Sequence, residues 1–177
     1  MCGIYGSIGK NYKNIEETFS KALYHRGPDD KGIFYDDDKN IVLGHTRLSI
    51  IDLSNQAHQP MSIDSYTLVF NGEIYNYQEI KKELQAYGYT FMTNSDTEVV
   101  LKSFMYWKED CVKHFRGMFA FCVYDKQKEE FFLSRDRFGI KPIIYSFEDD
   151  QFIFSSELKP FLKSNICLLY TSDAADE

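Results

Sequence analysis

The sequence predicts a single α+β domain, and three observations carry that expectation. A chain of 177 residues is long enough for one domain with a substantial core. Its thirteen Tyr and fifteen Phe recur in short clusters, as expected of several strands packed against helices. Two pairs of apolar runs, 32–35 with 41–45 and 118–125 with 130–136, flank short polar turns and read as hairpins, while 15–24, 77–87 and 97–107 read as helices.

Composition removes several function classes. The formal net charge is -7 and no basic stripe offsets it, which argues against a nucleic-acid partner. Cys2, Cys111, Cys122 and Cys167 are widely spaced with no CxxC pair, so neither a metal site nor a disulfide framework is indicated, and a reducing, cytoplasmic setting fits. The start lacks the basic and apolar regions of a signal peptide, and no stretch approaches the roughly 20 apolar residues of a membrane span. No internal repeat is present.

The chain opens with a strand over 4–8, spaced by Gly3, Gly6 and Gly9. Glycine in a strand marks a close approach, and Gly3 is expected to leave room beside the Cys2 thiol. Asn14 is the expected cap of the first helix, whose apolar face is Ile15, Phe19, Ala22 and Leu23. The loop His25-Arg26-Gly27-Pro28-Asp29-Asp30 is a turn in which Arg26 either pairs locally or orients site groups. Asp36, Asp37 and Asp38 fail as a calcium loop, because Ile41 stands where glycine is needed and Arg47 where the glutamate is needed, so a solvated turn is expected.

Arg47, among apolar residues at the end of the next strand, requires an anion, either Asp52 or another buried carboxylate, or else a ligand. Residues 53–64 read as a polar surface loop. A strand over 66–70 then delivers Asn71-Gly72-Glu73-Ile74-Tyr75-Asn76. Asn-Gly is a strong hairpin signal, and it is equally a compact pair of donors, the Asn71 amide and the Gly72 N–H, for a developing oxyanion. After the helix over 77–87, stopped at Gly88, come a strand over 89–93 and a helix for which Asp96 is the expected N-cap, placed where it also suits a ligand ammonium. The strand over 118–125 is continuous in Phe, Ala, Cys and Val and reads as buried on both faces. Residues 135–142 form a charged loop whose arginines are expected to pair with acids. Strands over 143–147 and 151–155 and a helix over 156–162 close the domain. From Cys167 the chain turns polar, small and acidic, and this tail is expected to be disordered or foreign.

Cys2 is the most consequential residue. Removal of Met1 would give it a free α-amine beside its thiol, with ordinary pKa values of about 8 and about 8.5, a nucleophile carrying its own base. Alone, it reads as a compact buried hydrophobe, and the glycine spacing around it is what points to catalysis.

Taken in order, Met1-Cys2-Gly3-Ile4, the His25 to Asp29 loop, Arg47-Leu48-Ser49-Ile50-Ile51-Asp52, Asn71-Gly72-Glu73-Ile74-Tyr75-Asn76 and the 135–142 loop resemble the glutaminase domain of glutamine-hydrolysing asparagine synthetases. The resemblance implies an N-terminal-nucleophile hydrolase fold, a four-layer sandwich of two antiparallel sheets between helical layers, which the strand count alone would not have selected. It implies a class II glutamine amidotransferase over 1–163, with 164–177 a tail. In that likeness Cys2 attacks the glutamine amide, Asn71 and Gly72 hold the oxyanion, Arg47 binds the α-carboxylate, and Asp96 binds the α-ammonium with help from Glu73 or from carbonyls near Gly72. The implied partners are L-glutamine and an ATP-dependent synthetase domain, expected to lie outside this chain together with any ATP and Mg; a homodimer is left open. No cofactor is expected for these residues. The competing readings are a non-catalytic glutamine-binding module and a glutaminase serving an acceptor other than aspartate.

Overall fold

The structure is a computed structural model that describes residues 2–10, 12–48, 58–148 and 150–164. Its strands are β1 (Gly3–Ile8), β2 (Asp30–Asp36), β3 (Ile41–Arg47), β4 (Met61–Ile63), β5 (Tyr66–Ile74), β6 (Gly117–Asp125), β7 (Glu130–Arg135), β8 (Ile144–Glu148) and β9 (Gln151–Ser155). Its helices are α1 (Tyr12–Leu23), α2 (Tyr77–Ala86), α3 (Asp96–Trp107), α4 (Cys111–His114) and α5 (Lys159–Ser164). The strands form a five-stranded sheet in the order β2-β3-β1-β9-β8 and a four-stranded sheet in the order β4-β5-β6-β7. All pairings between these strands are antiparallel.

Alternation along the strands divides the apolar residues among three cores. Leu68, Phe70, Phe119, Phe121 and Val123 face α2 and α3, where they meet Ile80, Leu84, Val99 and Leu101. The residues between them, Val69, Ala120, Cys122 and Tyr124, face the other way and meet Ile4, Leu43 and Phe154 of the first sheet. On the far side of that sheet Tyr5 and Ile153 pack with Phe19, Leu23 and Phe161 of α1 and α5. The result is helices, sheet, sheet, helices, the four-layer architecture implied by the resemblance, and β6 is buried on both faces as its composition requires. Truncating a core side chain such as Phe121 to alanine is expected to cost about 3–5 kcal/mol.

Several local expectations are corrected. Helix α1 starts at Tyr12, so Asn14 lies inside it and caps nothing; Tyr12 packs edge-on against Tyr35, a tertiary contact that extends the helix beyond its polar signal. Asp36 is buried and accepts a hydrogen bond from Tyr124 across the sandwich, so only its neighbours form the solvated turn. Residues 89–93 make no strand. There the carboxylate of Glu98 takes the N–H groups of Met92 and Thr93, and Lys102 takes the Thr90 carbonyl, so side chains replace a ladder. Part of the expected 53–64 loop is the strand β4, which pairs with β5. The last helix starts three residues late. Asp136, not an arginine pair, orders the 135–142 loop by accepting the N–H groups of Phe119, Phe138, Ile140 and Lys141. Asp52, most of the polar loop around it, Met1 and the 165–177 tail, including Cys167, lie outside the described residues.

Candidate active site

Three strands end in polar residues on the face between the sheets. On β1 the alternation that buries Ile4 puts Cys2 one step beyond it; on β3 it runs Leu43, His45, Arg47; on β5 it runs Val69, Asn71, Glu73. Gly3 lies opposite Thr46, so the next pair in register is Cys2 with Arg47. Cys2 is partly exposed, its Sγ accepting from the Leu48 N–H at 3.4 Å and donating to the Leu48 carbonyl at 3.7 Å. Arg47 is buried, 9% exposed. The Gly3 Cβ position is occupied by the Thr46 hydroxyl at 2.7 Å and backed by α1, so glycine here admits the neighbouring strand and helix rather than opening space beside the thiol.

Arg26 proves to belong to this end of the sheet. It is 9% exposed, donates from Nε to the Cys2 carbonyl at 2.9 Å and from Nη1 to Glu157 at 2.7 Å. The Arg26 and His25 side chains hold the Glu157 carboxyl below the usual range, against the opposing effect of its burial. The Gly-Pro turn signalled the loop, but nothing in the sequence links it to Glu157, 131 residues away.

Asn71 and Gly72 do not turn the chain. They lie within β5, opposite Ala120 and Phe119, because β6 is long enough to pair with β5 as far as Ile74. Gly72 is required by close approach, since a Cβ there would sit 2.4 Å from the Met118 carbonyl oxygen. Along the other edge of β5, pairing with β4 stops at Leu68, and no further strand pairs there among the described residues. Along that edge the Phe70 N–H donates to Gln59 Oε1 at 2.6 Å and the Ile74 N–H to Asp96 Oδ2 at 3.0 Å. The alternation of an antiparallel ladder turns the Gly72 N–H to the same edge, where it meets no acceptor among the described residues. Beside it Asn71, 3% exposed, keeps Nδ2 buried with no partner among the described residues. Two donors on neighbouring residues are therefore without an acceptor among the described residues, an arrangement that costs stability unless an acceptor arrives.

Asp96 reaches this edge because the cap of α3 is Ser95, whose hydroxyl accepts from the Glu98 N–H; Asp96 is the first helical residue instead of the cap. Burial pushes its carboxyl up to about 6, and the nearby Glu73 charge adds to the rise while the Ile74 N–H opposes it. His45, 1% exposed, hydrogen-bonds the Phe70 backbone and leaves Nε2 without a partner among the described residues. Burial, then the Arg47 charge, hold its pKa down to about 3, so the ring is neutral. His45 and Gln59 carried no motif signal of their own; their roles arise from where β4 stops. Among the described residues no group of three or more His, Cys, Asp or Glu side chains is placed to hold a metal ion, and no helix is long and apolar enough to cross a membrane.

Known proteins resemble this chain in sequence and in fold. A family model described as a glutamine amidotransferase domain matches residues 1–175. The "Putative asparagine synthetase [glutamine-hydrolyzing] 2" of Methanocaldococcus jannaschii is 45% identical over 183 residues, covering 92% of this chain and 35% of that protein. "Asparagine synthetase [glutamine-hydrolyzing] 3" of Bacillus subtilis is 40% identical over 171 residues, covering 92% of this chain and 27% of that protein. The chain thus spans about a third or less of the length of these relatives. The glutamine phosphoribosylpyrophosphate amidotransferase of B. subtilis, solved with ADP and GMP, superposes with a TM-score of 0.81 over 93% of this chain and 44% of that one; at 21% identity this likeness concerns the fold.

Proposed function

Because the chain belongs to the glutamine amidotransferase domain family, we propose that it hydrolyses the side-chain amide of free glutamine through a thioester on Cys2, as the glutaminase part of an asparagine synthetase. The observation that supports this reading is the pair of donors without an acceptor among the described residues, Asn71 Nδ2 and the Gly72 N–H.

The chemistry follows from charge. The Cys2 thiol passes its proton to its own α-amine, and the thiolate attacks the amide carbon. The carbonyl oxygen becomes an oxyanion held by the Asn71 amide and the Gly72 N–H, donors fixed in place by β5. The α-ammonium then protonates the departing nitrogen, ammonia leaves, and a γ-glutamyl thioester remains. Water, deprotonated by the same amine, attacks the thioester, releasing glutamate and restoring the thiol. Arg47 grips the substrate α-carboxylate, and Asp96, aided by Glu73 and the carbonyls near Gly72, grips its α-ammonium, so both charged ends fix the amide over the sulfur.

This mechanism requires a free α-amine on Cys2 and hence loss of Met1. We assign the acceptor aspartate, ATP and Mg to the part of the relatives beyond the matched length, and a cytoplasmic setting on the strength of the free thiols Cys2, Cys111 and Cys122. The test is glutamate release from glutamine, with γ-glutamyl hydroxamate formed when hydroxylamine intercepts the thioester. Both should vanish in Cys2→Ala while glutamine binding persists. Glutamate release that survives C2A, or an active preparation whose intact mass retains Met1, overturns the mechanism; glutamine binding without hydrolysis by the processed chain favours a binding module.

A further inference from the structure

Gln59 is 6% exposed and joins two elements: its Oε1 accepts the Phe70 N–H at 2.6 Å and its Nε2 donates to Thr97 Oγ1 at 3.4 Å. The β4–β5 register ends with Met61 opposite Leu68, and its continuation sets residue 59 opposite Phe70. A side-chain amide therefore stands where a strand partner would have offered a carbonyl. The Gln59 main chain is itself backed by β2, since a Cβ on Gly32 would come within 1.8 Å of the Gln59 carbonyl oxygen.

The free-edge donors on either side of Gly72 are consequently tied to one place. Phe70 is tied through Gln59 to Thr97, and Ile74 is tied directly to Asp96, the residue before it in the first turn of α3. A partner strand continuing past Phe70 would present its own carbonyl to the Gly72 N–H and fill the site. Ending the ladder with a side chain satisfies Phe70 and leaves the next donor open. The Phe70 N–H held by Gln59 belongs to the Val69–Phe70 peptide, which meets the Phe70–Asn71 peptide at the Phe70 Cα, so fixing it limits the rotation about Phe70 that would reorient Asn71.

We propose that Gln59 is a positioning residue for the oxyanion site: it clamps the Phe70 peptide against α3, which orients Asn71 and keeps the Gly72 N–H available to the reacting carbonyl. The proposal rests on the glutaminase reading. Gln59 touches no reacting atom, so its effect falls on the transition state and spares ground-state binding at Arg47 and Asp96.

The test compares Gln59→Met, which keeps the volume and removes the acceptor, with Gln59→Glu, which keeps an acceptor for Phe70. For the wild type and each variant, kcat and KM for glutamine and the Kd of glutamate are measured, with the thermal transition as a check of folding. In Q59M kcat should fall about tenfold while KM and the glutamate Kd stay within about twofold, the pattern of a displaced transition-state donor. Q59E should recover kcat to within about threefold of wild type. A folded Q59M with wild-type kcat, a loss confined to KM, or a Q59E as slow as Q59M each overturns the proposal. Should Q59M not fold, Thr97→Val, which removes only the tether of Gln59, should lower kcat about threefold at constant KM, and an unchanged kcat overturns the proposal. A wild-type chain that releases no glutamate from glutamine refutes the glutaminase reading itself, a result distinct from an active wild type matched by Q59M.

Discussion

Arg26 Nε lies 2.9 Å from the carbonyl oxygen of Cys2, and the same guanidinium reaches Glu157 at 2.7 Å, so one planar fork joins the residue that leads into β1 to the segment after β9. Lysine offers a single charged point and cannot hold both acceptors in this geometry. Arg26→Lys is therefore expected to lower stability by about 1.5–3 kcal/mol, the usual worth of a charge-assisted hydrogen bond, as read by urea denaturation. Its glutaminase kcat should fall more than its KM rises, because the nucleophile and not the substrate loses its support.

Removing the oxyanion donor at residue 71 tests the site most directly. Asn71→Ala should reduce kcat by about 10²- to 10³-fold with KM changed by only a few fold, since the donor is used in the transition state. The same variant removes a buried amide nitrogen that has no partner among the described residues, so its urea midpoint should not fall in step with its activity. Equal losses in binding and rate would contradict the assignment.

Asp96 gives a pH dependence with a definite sign. Its carboxyl is raised to about 6 chiefly by burial, so the carboxylate is lost as pH falls through about 6 and the substrate ammonium loses its counter-ion. KM for glutamine should rise below that pH, and in Asp96→Asn this dependence should be absent while KM is high throughout. A raised carboxyl pKa favours the fold at low pH and opposes it as pH rises through about 6. D96N, neutral at every pH and still able to accept the Ile74 N–H, should thus melt at a higher temperature than wild type at pH 7.

His45 has the opposite linkage. Held at about 3 by burial against an ordinary 6.5, it stays neutral in the fold but takes a proton when unfolded, so its contribution is intact above about 6.5 and is lost as pH falls towards 3. Relative to His45→Asn, the wild type should lose up to about 1.4 kcal/mol of stability per pH unit across that window. Urea titrations of both proteins at pH 7.5 and 5 would reveal it, and parallel curves would contradict a neutral buried ring.

The sequence resolved the periodic parts of this chain well. The hairpins of β2–β3 and β6–β7, the stop of α2 at Gly88 and the two-sided burial of β6 follow from local pattern, because alternation and turn chemistry are properties of neighbouring residues. What local pattern misjudged shares one cause. Asn71-Gly72 reads as a turn until β6 is known to run alongside it, Asp96 reads as a cap until Ser95 takes that place, and residues 89–93 read as a strand until Glu98 claims their N–H groups. Arg26 with Glu157, and Gln59 with Phe70, are encounters between distant segments that no spacing rule announces. The proposed roles of Cys2, Arg47, Asn71, Gly72, Glu73 and Asp96 came from the order of the motifs, not from spacing within any one of them.

Strand β1 is the middle member of its sheet, bonded to β3 on one flank and to β9 on the other. The segment that carries the sulfur consequently has no private route to melting: it cannot loosen without parting two ladders at once. Amide exchange from Ile4 to Ile8 should be among the slowest in the molecule, and heat should extinguish catalysis only when the sheet as a whole gives way.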